Sequence, residues 1–298
     1  MNTAATLRTR AAALAAPLPP LLAQADHLAA TVMLGMHGRK RAGPGDEFWQ
    51  YRWMQPGDTA RMIDWRRSAR ADRPLVRERE WKIAQSVLLW MDGGGSMGFA
   101  SHARLPQKRT RAQLLSLALA ILLLRAGERV GLTDKTLPPR RGEGQIALLA
   151  RALLTEDTQE YGLPQMHMLP LRARAVLVSD FLGDVSAVRQ ALGAAAARGV
   201  RGALVQVLDP AEAAFPYRGR VRFQSVGGGL NHETQKADDL RDRYLTRLAE
   251  RQDTLRHLCR NAGWQYECHL TSRPAQQALL WLFRALGGAQ AQGTPCQP

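Results

Sequence analysis

Short apolar runs alternate with longer helical segments from residue 86 onward. This alternation is typical of an α/β fold, and runs that are apolar throughout indicate a parallel sheet that helices cover on both faces. The predicted strands are 86–91, 129–133, 173–179, 200–208 and 264–270. The predicted helices are 108–126, 145–154, 185–198, 237–262 and 274–286. An irregular stretch after the fourth strand predicts a small hairpin around 220–226.

The first 82 residues follow a different pattern. Residues 1–38 are rich in Ala and Leu but contain three prolines between positions 17 and 20, which predicts one or two short helices. In the remainder, Pro56-Gly57 predicts a turn, and Asp58 is expected to cap a short helix over 59–65. The predicted organisation is an N-terminal helical arm with a motif block (1–82), an α/β domain (83–286) and a frayed tail (287–298).

The composition is that of an ordinary globular protein, with 45% hydrophobic and 22% charged residues, which excludes collagen, coiled coils and wholesale disorder. The formal net charge of +15 raises the alternative of a nucleic-acid-binding protein. In 39–82, however, twelve Lys and Arg are interleaved with seven Asp and Glu, whereas a surface that follows a phosphate backbone is less mixed. Nucleic acid is therefore an alternative partner that the sequence does not favour.

The three cysteines and the apolar runs bear on the location of the protein. The sequence contains no CxxC motif, so we predict neither a zinc ribbon nor a thioredoxin-like redox site, and we expect a reducing cytoplasm without a disulfide framework. The longest apolar run, 112–124, is shorter than the ~20 residues that cross a bilayer. We predict a cytoplasmic location and no integral membrane span.

Two predicted strands end in an aspartate, and the first is followed by a glycine-rich loop with a hydroxyl. Asp92 precedes Gly93-Gly94-Gly95-Ser96, and Asp180 follows the strand 173–179. Because the carboxyl ends of parallel strands meet at one edge of the sheet, Asp92, Ser96 and Asp180 are candidate oxygen ligands for a hard cation such as Mg²⁺. The alternative is that both carboxylates cap loops and helix N-termini.

This loop resembles the metal-ion-dependent adhesion site of von Willebrand factor type A domains, which reads Asp-x-Ser-x-Ser. Asp92 and Ser96 match, but Gly94 stands where the middle serine belongs; Asp180 matches the family's late aspartate by position. The family's separate threonine would fall near 142–145, which contains no hydroxyl. The resemblance therefore implies a degenerate site, for which Mg²⁺ is a candidate and no cofactor is certain.

Ser96 also lies at the centre of a Gly-x-Ser-x-Gly stretch, which raises the alternative of a serine hydrolase. A nucleophile elbow needs a helix directly after the serine, whereas about ten mixed residues separate Ser96 from the predicted helix 108–126. Nothing in the spacing of His232 or His257 ties either histidine to Ser96 as a base. The sequence also lacks a phosphate-binding P-loop, and we do not predict an enzyme.

The block from 45 to 70 is dense in Arg, Asp and Trp. On a helix, Asp58 would neighbour Arg61, and Arg61 would neighbour Asp64 or Trp65, which suggests a salt-bridged cluster backed by Trp rings. The same residue types anchor protein interfaces, so the block is either structural or an interaction surface. The sequence leaves both interpretations open.

This block also carries a resemblance to a known family. The sequence GDEFWQYRWMQPGDTARMIDWRRSAR, followed by PLVRERE and LLWMDGGGSM, resembles the bacterial family called domain of unknown function 58, over about 35–285. The matching residues are Glu47, Phe48, Arg52, Pro56, Gly57, Asp58, Arg61, Ile63, Asp64, Trp65, Ser68, Ala69 and Arg70. Of these, the candidate interaction or structural residues are Glu47, Arg52, Asp58, Arg61, Asp64, Trp65 and Arg70.

The family resemblance implies a von Willebrand factor A-like (Rossmann-like) α/β core with an N-terminal helical arm and a small irregular or β extension. It also implies association with a MoxR-type AAA+ ATPase, in systems that resemble chaperones or assembly factors acting on a client protein. The predicted function is a non-catalytic protein-interaction module that works with such an ATPase. A nucleic-acid-binding protein and a serine hydrolase are the alternatives.

Overall fold

The computed structural model describes residues 18–34, 48–79, 84–134, 136–155, 157–167, 169–225 and 231–287. The chain divides into two compact units, which we call the α/β unit (Met1–Leu34 with Gln85–Pro298) and the motif unit (Gly35–Ala84). This division differs from the predicted boundaries, because the N-terminal helix belongs to the α/β unit. The predicted frayed tail lies, apart from Gly287, outside the described residues.

The strands, in chain order, are β1 (Phe48–Trp53), β2 (Leu75–Arg79), β3 (Ser86–Met91), β4 (Arg129–Leu132), β5 (Arg174–Ser179), β6 (Arg201–Leu208), β7 (Val221–Gln224), β8 (Asn231–Thr234) and β9 (Gln265–Leu270). The helices are α1 (Leu18–Leu34), α2 (Trp65–Ser68), α3 (Lys108–Arg125), α4 (Gly144–Leu153), α5 (Val185–Ala197), α6 (Pro210–Ala214), α7 (Asp238–Asn261) and α8 (Ala275–Leu286). The ten principal strands and helices predicted from residue 86 onward are all present, with ends that agree within one residue.

Five strands of the α/β unit form one parallel sheet in the order β4-β3-β5-β6-β9. Leu88, Leu177 and Leu204 on its central strands have no exposed surface, because helices α5 and α7 pack over them. Helix α3 packs on the sheet and also contacts α1, α4 and α8. This confirms the predicted von Willebrand factor A-like, Rossmann-like fold with helices on both faces of a parallel sheet.

Helix α1 covers Leu18–Leu34, and the rest of the segment 1–38, for which one or two short helices were predicted, lies outside the described residues. Pro19 and Pro20 lie in its first turn, where a missing N–H costs no helical hydrogen bond. Further along, Leu21, Ala25 and Ala29 are buried and recur every four residues, so they form one face of the helix. This face explains the contacts of α1 with α3 and α8.

The strand order creates a crevice at the carboxyl edge of the sheet. β4 lies on one side of β3, whereas β5, β6 and β9 lie on its other side. In open parallel sheets this reversal of direction is the place where ligands bind, outside the carboxyl ends of the strands. Asp92 follows β3 and Asp180 follows β5, so the two predicted aspartates lie beside this crevice.

The motif unit pairs β1 with β2 in antiparallel fashion, and the sequence did not predict these two strands. The predicted turn is present, and Gly57 adopts a φ of 104° that glycine tolerates without strain. The predicted helix over 59–65 is wrong, because Ile63 is extended and bridges to Val76 of β2. Both side chains are buried, so this contact separates a short 3₁₀ turn from α2.

The sequence predicted no membrane-spanning segment and no disulfide framework, and the structure bears on both predictions. Among the described helices, none combines the length and apolar character that a membrane crossing demands. Cys259 is a buried free thiol, but Cys268 is disulfide-bonded, which we did not expect from three sparse cysteines.

Candidate functional site

Asp92 is buried at the end of β3 and accepts three hydrogen bonds. The N–H groups of Gly94 and Gly162 donate to Oδ1 at 2.7 and 2.9 Å, and the Ser179 hydroxyl donates to Oδ2 at 2.6 Å. Burial raises the pKa of Asp92 above its ordinary value, although the hydrogen bonds from Ser179 and Gly94 oppose that shift. Asp92 therefore joins the loop after β3, the end of β5 and the segment around Gly162.

The segment 157–162 holds the glycine-rich loop in place. The Gly95 N–H donates to the Gln159 carbonyl at 2.9 Å, and the Ser96 N–H donates to the Glu160 carbonyl at 2.8 Å. The resemblance places the family's separate threonine near 142–145. Gln145 instead donates to the carbonyl oxygens of Val130 and Pro138, so 157–162 is the segment that meets Asp92.

Gly94 has no room for a side chain. A Cβ atom at this position would lie 2.7 Å from the Glu160 carbonyl oxygen, 2.8 Å from the Gly162 nitrogen and 2.9 Å from Asp92 Oδ1. These distances are shorter than ordinary van der Waals contacts, and two of the three atoms belong to the backbone. The residue that replaces the family's middle serine is therefore a packing requirement of this loop.

Asp180 forms a buried ion pair that the sequence did not predict. The Lys108 ammonium, at the first residue of α3, donates to Asp180 Oδ2 at 2.8 Å and to Glu212 Oε1 at 2.6 Å. The side chains of Lys108 and Asp180 are 1% and 0% exposed. The Leu182 N–H donates to the other carboxylate oxygen of Asp180 at 3.1 Å.

The environment of Lys108 favours its charged form. Burial by itself would lower the pKa of the ammonium, but the charges of Asp180 and Glu212 outweigh that effect and hold the pKa above its ordinary value. The ammonium also lies 5.9 Å from the centre of the Phe99 ring. Glu212 belongs to a capping box with Asp209 on α6, and this motif is the signal that could have revealed it in the sequence.

Two of the three predicted metal ligands, the Asp92 and Asp180 carboxylates, offer few available oxygens to a divalent cation. Such an ion needs several available oxygen ligands. The oxygens of Asp92 already accept three hydrogen bonds, and those of Asp180 are committed to Lys108 and Leu182. Within the described ranges, no group of three or more His, Cys, Asp or Glu side chains is placed to hold a metal.

The Ser96 hydroxyl is buried in the 3₁₀ turn Gly95–Gly98 and has no hydrogen-bond partner in the described part of the chain. A serine nucleophile needs a base within hydrogen-bond distance. His257, one of the two histidines considered, instead lies 3.0 Å from Asn261 on the exposed surface of α7. This geometry offers no support for the hydrolase alternative.

In the motif unit, Arg52 and Asp58 form a bidentate ion pair. The guanidinium donates to both carboxylate oxygens at 2.7 Å, and the Gln55 N–H donates to Oδ2 at the same distance. This pair joins β1 to the turn that follows it, and bidentate geometry is the strong form of such contacts. The expected helical pairing of Asp58 with Arg61 does not occur, because Asp58 lies in a turn.

Asp64 organises the second half of the motif unit. Its carboxylate accepts a hydrogen bond from the Tyr51 hydroxyl at 2.9 Å and one from the Arg67 N–H at 3.1 Å, so it caps α2. The Arg67 guanidinium lies 4.4 Å from the centre of the Tyr51 ring. Asp64, like Arg52 and Asp58, thus has a structural role.

Other residues of the motif unit are exposed. Trp53, Met54, Met62 and Trp65 are between 41% and 63% exposed, which is unusual for large apolar side chains so close together in sequence. Arg61 and Arg70 are also exposed, and Glu47 lies outside the described residues. The block therefore combines a bonded polar framework with an exposed apolar and basic surface.

We predict that acid weakens the motif unit through Asp58. The hydrogen bond from Arg52 lowers the pKa of Asp58 from 3.8 to about 2. Because the folded state binds this proton less tightly than the unfolded state, the contribution of Asp58 is complete above the ordinary pKa and disappears as the pH falls to about 2. Amide protection factors in 48–79, which correct the exchange rate for its intrinsic pH dependence, should fall over this range in the wild-type protein.

An Asp58→Asn variant should exchange faster at neutral pH and lose that additional acid step, while Asp72→Asn, a change of an exposed carboxylate in the same unit, should behave as wild type. An unchanged acid profile in the Asp58→Asn variant would contradict the assignment.

The parallel sheet, its aspartate-bearing carboxyl edge and the separate motif unit define the class of protein: an α/β protein with a von Willebrand factor A-like, Rossmann-like fold. Residues 50–254 match the family described as "Protein of unknown function DUF58". This match covers more than half of the chain, and the protein belongs to that family.

Several relatives and solved structures are similar to the chain. Uncharacterized protein Rv1480 of Mycobacterium tuberculosis and uncharacterized protein Mb1516 of Mycobacterium bovis are each 27% identical over 247 residues, which cover 78% of this chain and 77% of the relative. The structure of BatB from Bacteroides thetaiotaomicron is 16% identical with a TM-score of 0.43. That of an aerotolerance-related membrane protein from Bacteroides fragilis is 14% identical with a TM-score of 0.42. Each covers 69% of this chain and 100% of the solved chain.

Proposed function

We propose that the protein is a non-catalytic protein-interaction module that acts with a MoxR-type AAA+ ATPase in a chaperone-like or complex-assembly role. The observation that supports this most directly is the exposed surface of the motif unit, which we call the Trp surface and define as Trp53, Met54, Met62 and Trp65. Trp is the residue type that most often dominates binding energy at protein interfaces. The class of partner comes from the family resemblance.

The bonded framework makes the Trp surface suitable for binding. β1 carries Trp53 and is joined to the following turn by the Arg52–Asp58 pair, while Asp64 caps the helix that carries Trp65. A surface held by such contacts loses little conformational freedom on association. The two interpretations that the sequence left open therefore apply to different residues of the same block.

We predict that Trp53→Ala together with Trp65→Ala abolishes co-purification with the cognate MoxR-type ATPase without unfolding the protein. Truncation of exposed side chains costs little stability, whereas an interface hot spot loses about 2 kcal/mol or more of binding free energy. The measurements are co-purification, ATP turnover with and without the protein, and thermal melting.

The matched control is Leu171→Ala, which truncates an apolar side chain that is 73% exposed in the α/β unit and should leave binding intact. If the wild-type protein neither binds the ATPase nor changes its ATP turnover, the proposed partner is wrong. Retained binding by the double Trp variant would instead remove the Trp surface from the interface.

A cytoplasmic site of action is part of the same proposal. The disulfide at Cys268 is the feature that opposes it, since disulfides persist mainly in oxidising compartments. Cell fractionation combined with thiol alkylation tests it directly. A cytoplasmic protein with a reduced Cys268 supports the proposal, and an envelope-associated protein with an oxidised Cys268 contradicts it.

A further inference from the structure

We infer that the Lys108 ammonium is the built-in cation of the carboxyl edge of the sheet, and that it occupies the role that a divalent metal has in a metal-dependent adhesion site. The inference does not rest on the proposed function. It concerns the α/β unit alone and follows from the contacts of three charged side chains, Lys108, Asp180 and Glu212.

The ammonium is held as a bound cation would be. It lies between carboxylate oxygens from two different elements, 2.8 Å from Asp180 after β5 and 2.6 Å from Glu212 on α6. A third direction is covered by the Phe99 ring. An ammonium has three donors and a compact charge, and here two carboxylates accept from it while an aromatic ring lies on a further side.

The burial of Asp180 requires a positive charge at this place. Its carboxylate is fully buried, and an unpaired buried charge is strongly unfavourable. Lys108 is the first residue of α3, so its side chain reaches the edge of the sheet from the N-terminal end of that helix. Lys108 thus links β5, α3 and α6 through its contacts with Asp180 and Glu212. Its own charge balances Asp180, so no ion from solvent is needed there.

Two further features disfavour metal binding at the neighbouring Asp92 and in the loop that follows it. Asp92 accepts hydrogen bonds from Gly94, Gly162 and Ser179, which occupy three of the roughly four acceptor sites of its carboxylate. No Cβ fits at Gly94, so the loop cannot carry the additional serine ligand. The edge is therefore built to hold its charge balance without a divalent cation.

The test is to remove the ammonium and to offer Mn²⁺ in its place. Lys108→Ala leaves the Asp180 and Glu212 carboxylates facing an emptied volume, and it should bind one Mn²⁺ at least about tenfold more tightly than the wild-type protein. Loss of the free Mn²⁺ signal in electron paramagnetic resonance measures binding. Thermal melting should show that Mn²⁺ stabilises the Lys108→Ala variant and leaves the wild-type protein unchanged.

Two controls distinguish the loss of the Lys108 charge from the loss of its side-chain volume and from the loss of any lysine. Lys108→Met removes the charge but fills the volume, so it should gain no Mn²⁺ site; Lys236→Ala, a change of an exposed lysine, should behave as wild type. The inference is overturned if the wild-type protein binds Mn²⁺ at a site that Asp180→Asn abolishes. It is equally overturned if Lys108→Ala folds without binding Mn²⁺, or stays unfolded at saturating Mn²⁺, because a vacated cation position should accept the metal.

Discussion

Asp92→Ala should lower the free energy of unfolding by about 2–4 kcal/mol, as measured by urea denaturation. The substitution deprives the N–H groups of Gly94 and Gly162 and the hydroxyl of Ser179 of their acceptor. An unsatisfied buried donor costs about 1–3 kcal/mol. Removing the buried charge of Asp92 offsets part of this loss, because burial already disfavours its ionised form.

Asp92→Asn is the control that separates geometry from charge. Its amide oxygen can still accept from Gly94 and Gly162, so it should be clearly more stable than Asp92→Ala. Because the pKa of Asp92 is raised in the folded state, the wild-type protein loses stability as the pH rises above the ordinary carboxyl pKa, and the Asp92→Asn variant lacks this loss. Equal stability of the two variants would show that the three hydrogen bonds contribute nothing.

The sheet could be predicted because its strands are largely buried. A run such as 87–91 is apolar throughout, which is typical of a strand covered on both faces, and Asp92 directly after it marks the end of the strand. Asp92 and Asp180 could be assigned to the same edge from topology alone. What they bind there could not be predicted, because their partners are distant in sequence.

Lys108 shows why the partner was missed. At the start of an apolar helix a lysine normally points to water, and only the packing of α3 against the sheet places it beside Asp180, 72 residues away. Glu212 is 104 residues from Lys108, and its capping box with Asp209 indicates a helix start but not the contact with Lys108. Because residue spacing reports only on contacts that are local in sequence, it could not predict these long-range contacts.

In the motif unit, the predicted helix over 59–65 was wrong for a different reason. The spacing of Asp58, Arg61 and Asp64 fits a helix, but the chain uses those positions for a turn and a short 3₁₀ segment, and the partner of Asp58 is Arg52 on β1. β1 itself alternates aromatic and polar residues in a charged region, so its strand pattern was obscured. The family motif contains these residues but does not reveal which of them form hydrogen bonds and which are exposed.

Gly94→Ser should lower the free energy of unfolding by about 1–3 kcal/mol and should not create a metal site, even though it restores the sequence of a metal-dependent adhesion loop. The added Cβ would meet the Glu160 carbonyl, the Gly162 nitrogen and Asp92 Oδ1 at less than 3 Å. Segment 157–162 must then move, which breaks the hydrogen bonds that hold Gly95 and Ser96.

The matched control is Gly193→Ser, in the interior of α5, where a Cβ meets nothing within 4 Å. Serine is the better helix former, so this variant should be as stable as the wild-type protein or slightly more so. Urea denaturation measures both variants, and Mn²⁺ titration tests for a metal site. Wild-type stability together with Mn²⁺ binding in the Gly94→Ser variant would contradict this prediction. It would mean that the loop tolerates a serine ligand and that packing does not require glycine at position 94. Destabilisation without binding would mean that the packing of Glu160, Gly162 and Asp92 around position 94 excludes a serine, so that restoring the family's sequence at this one position does not create a metal site.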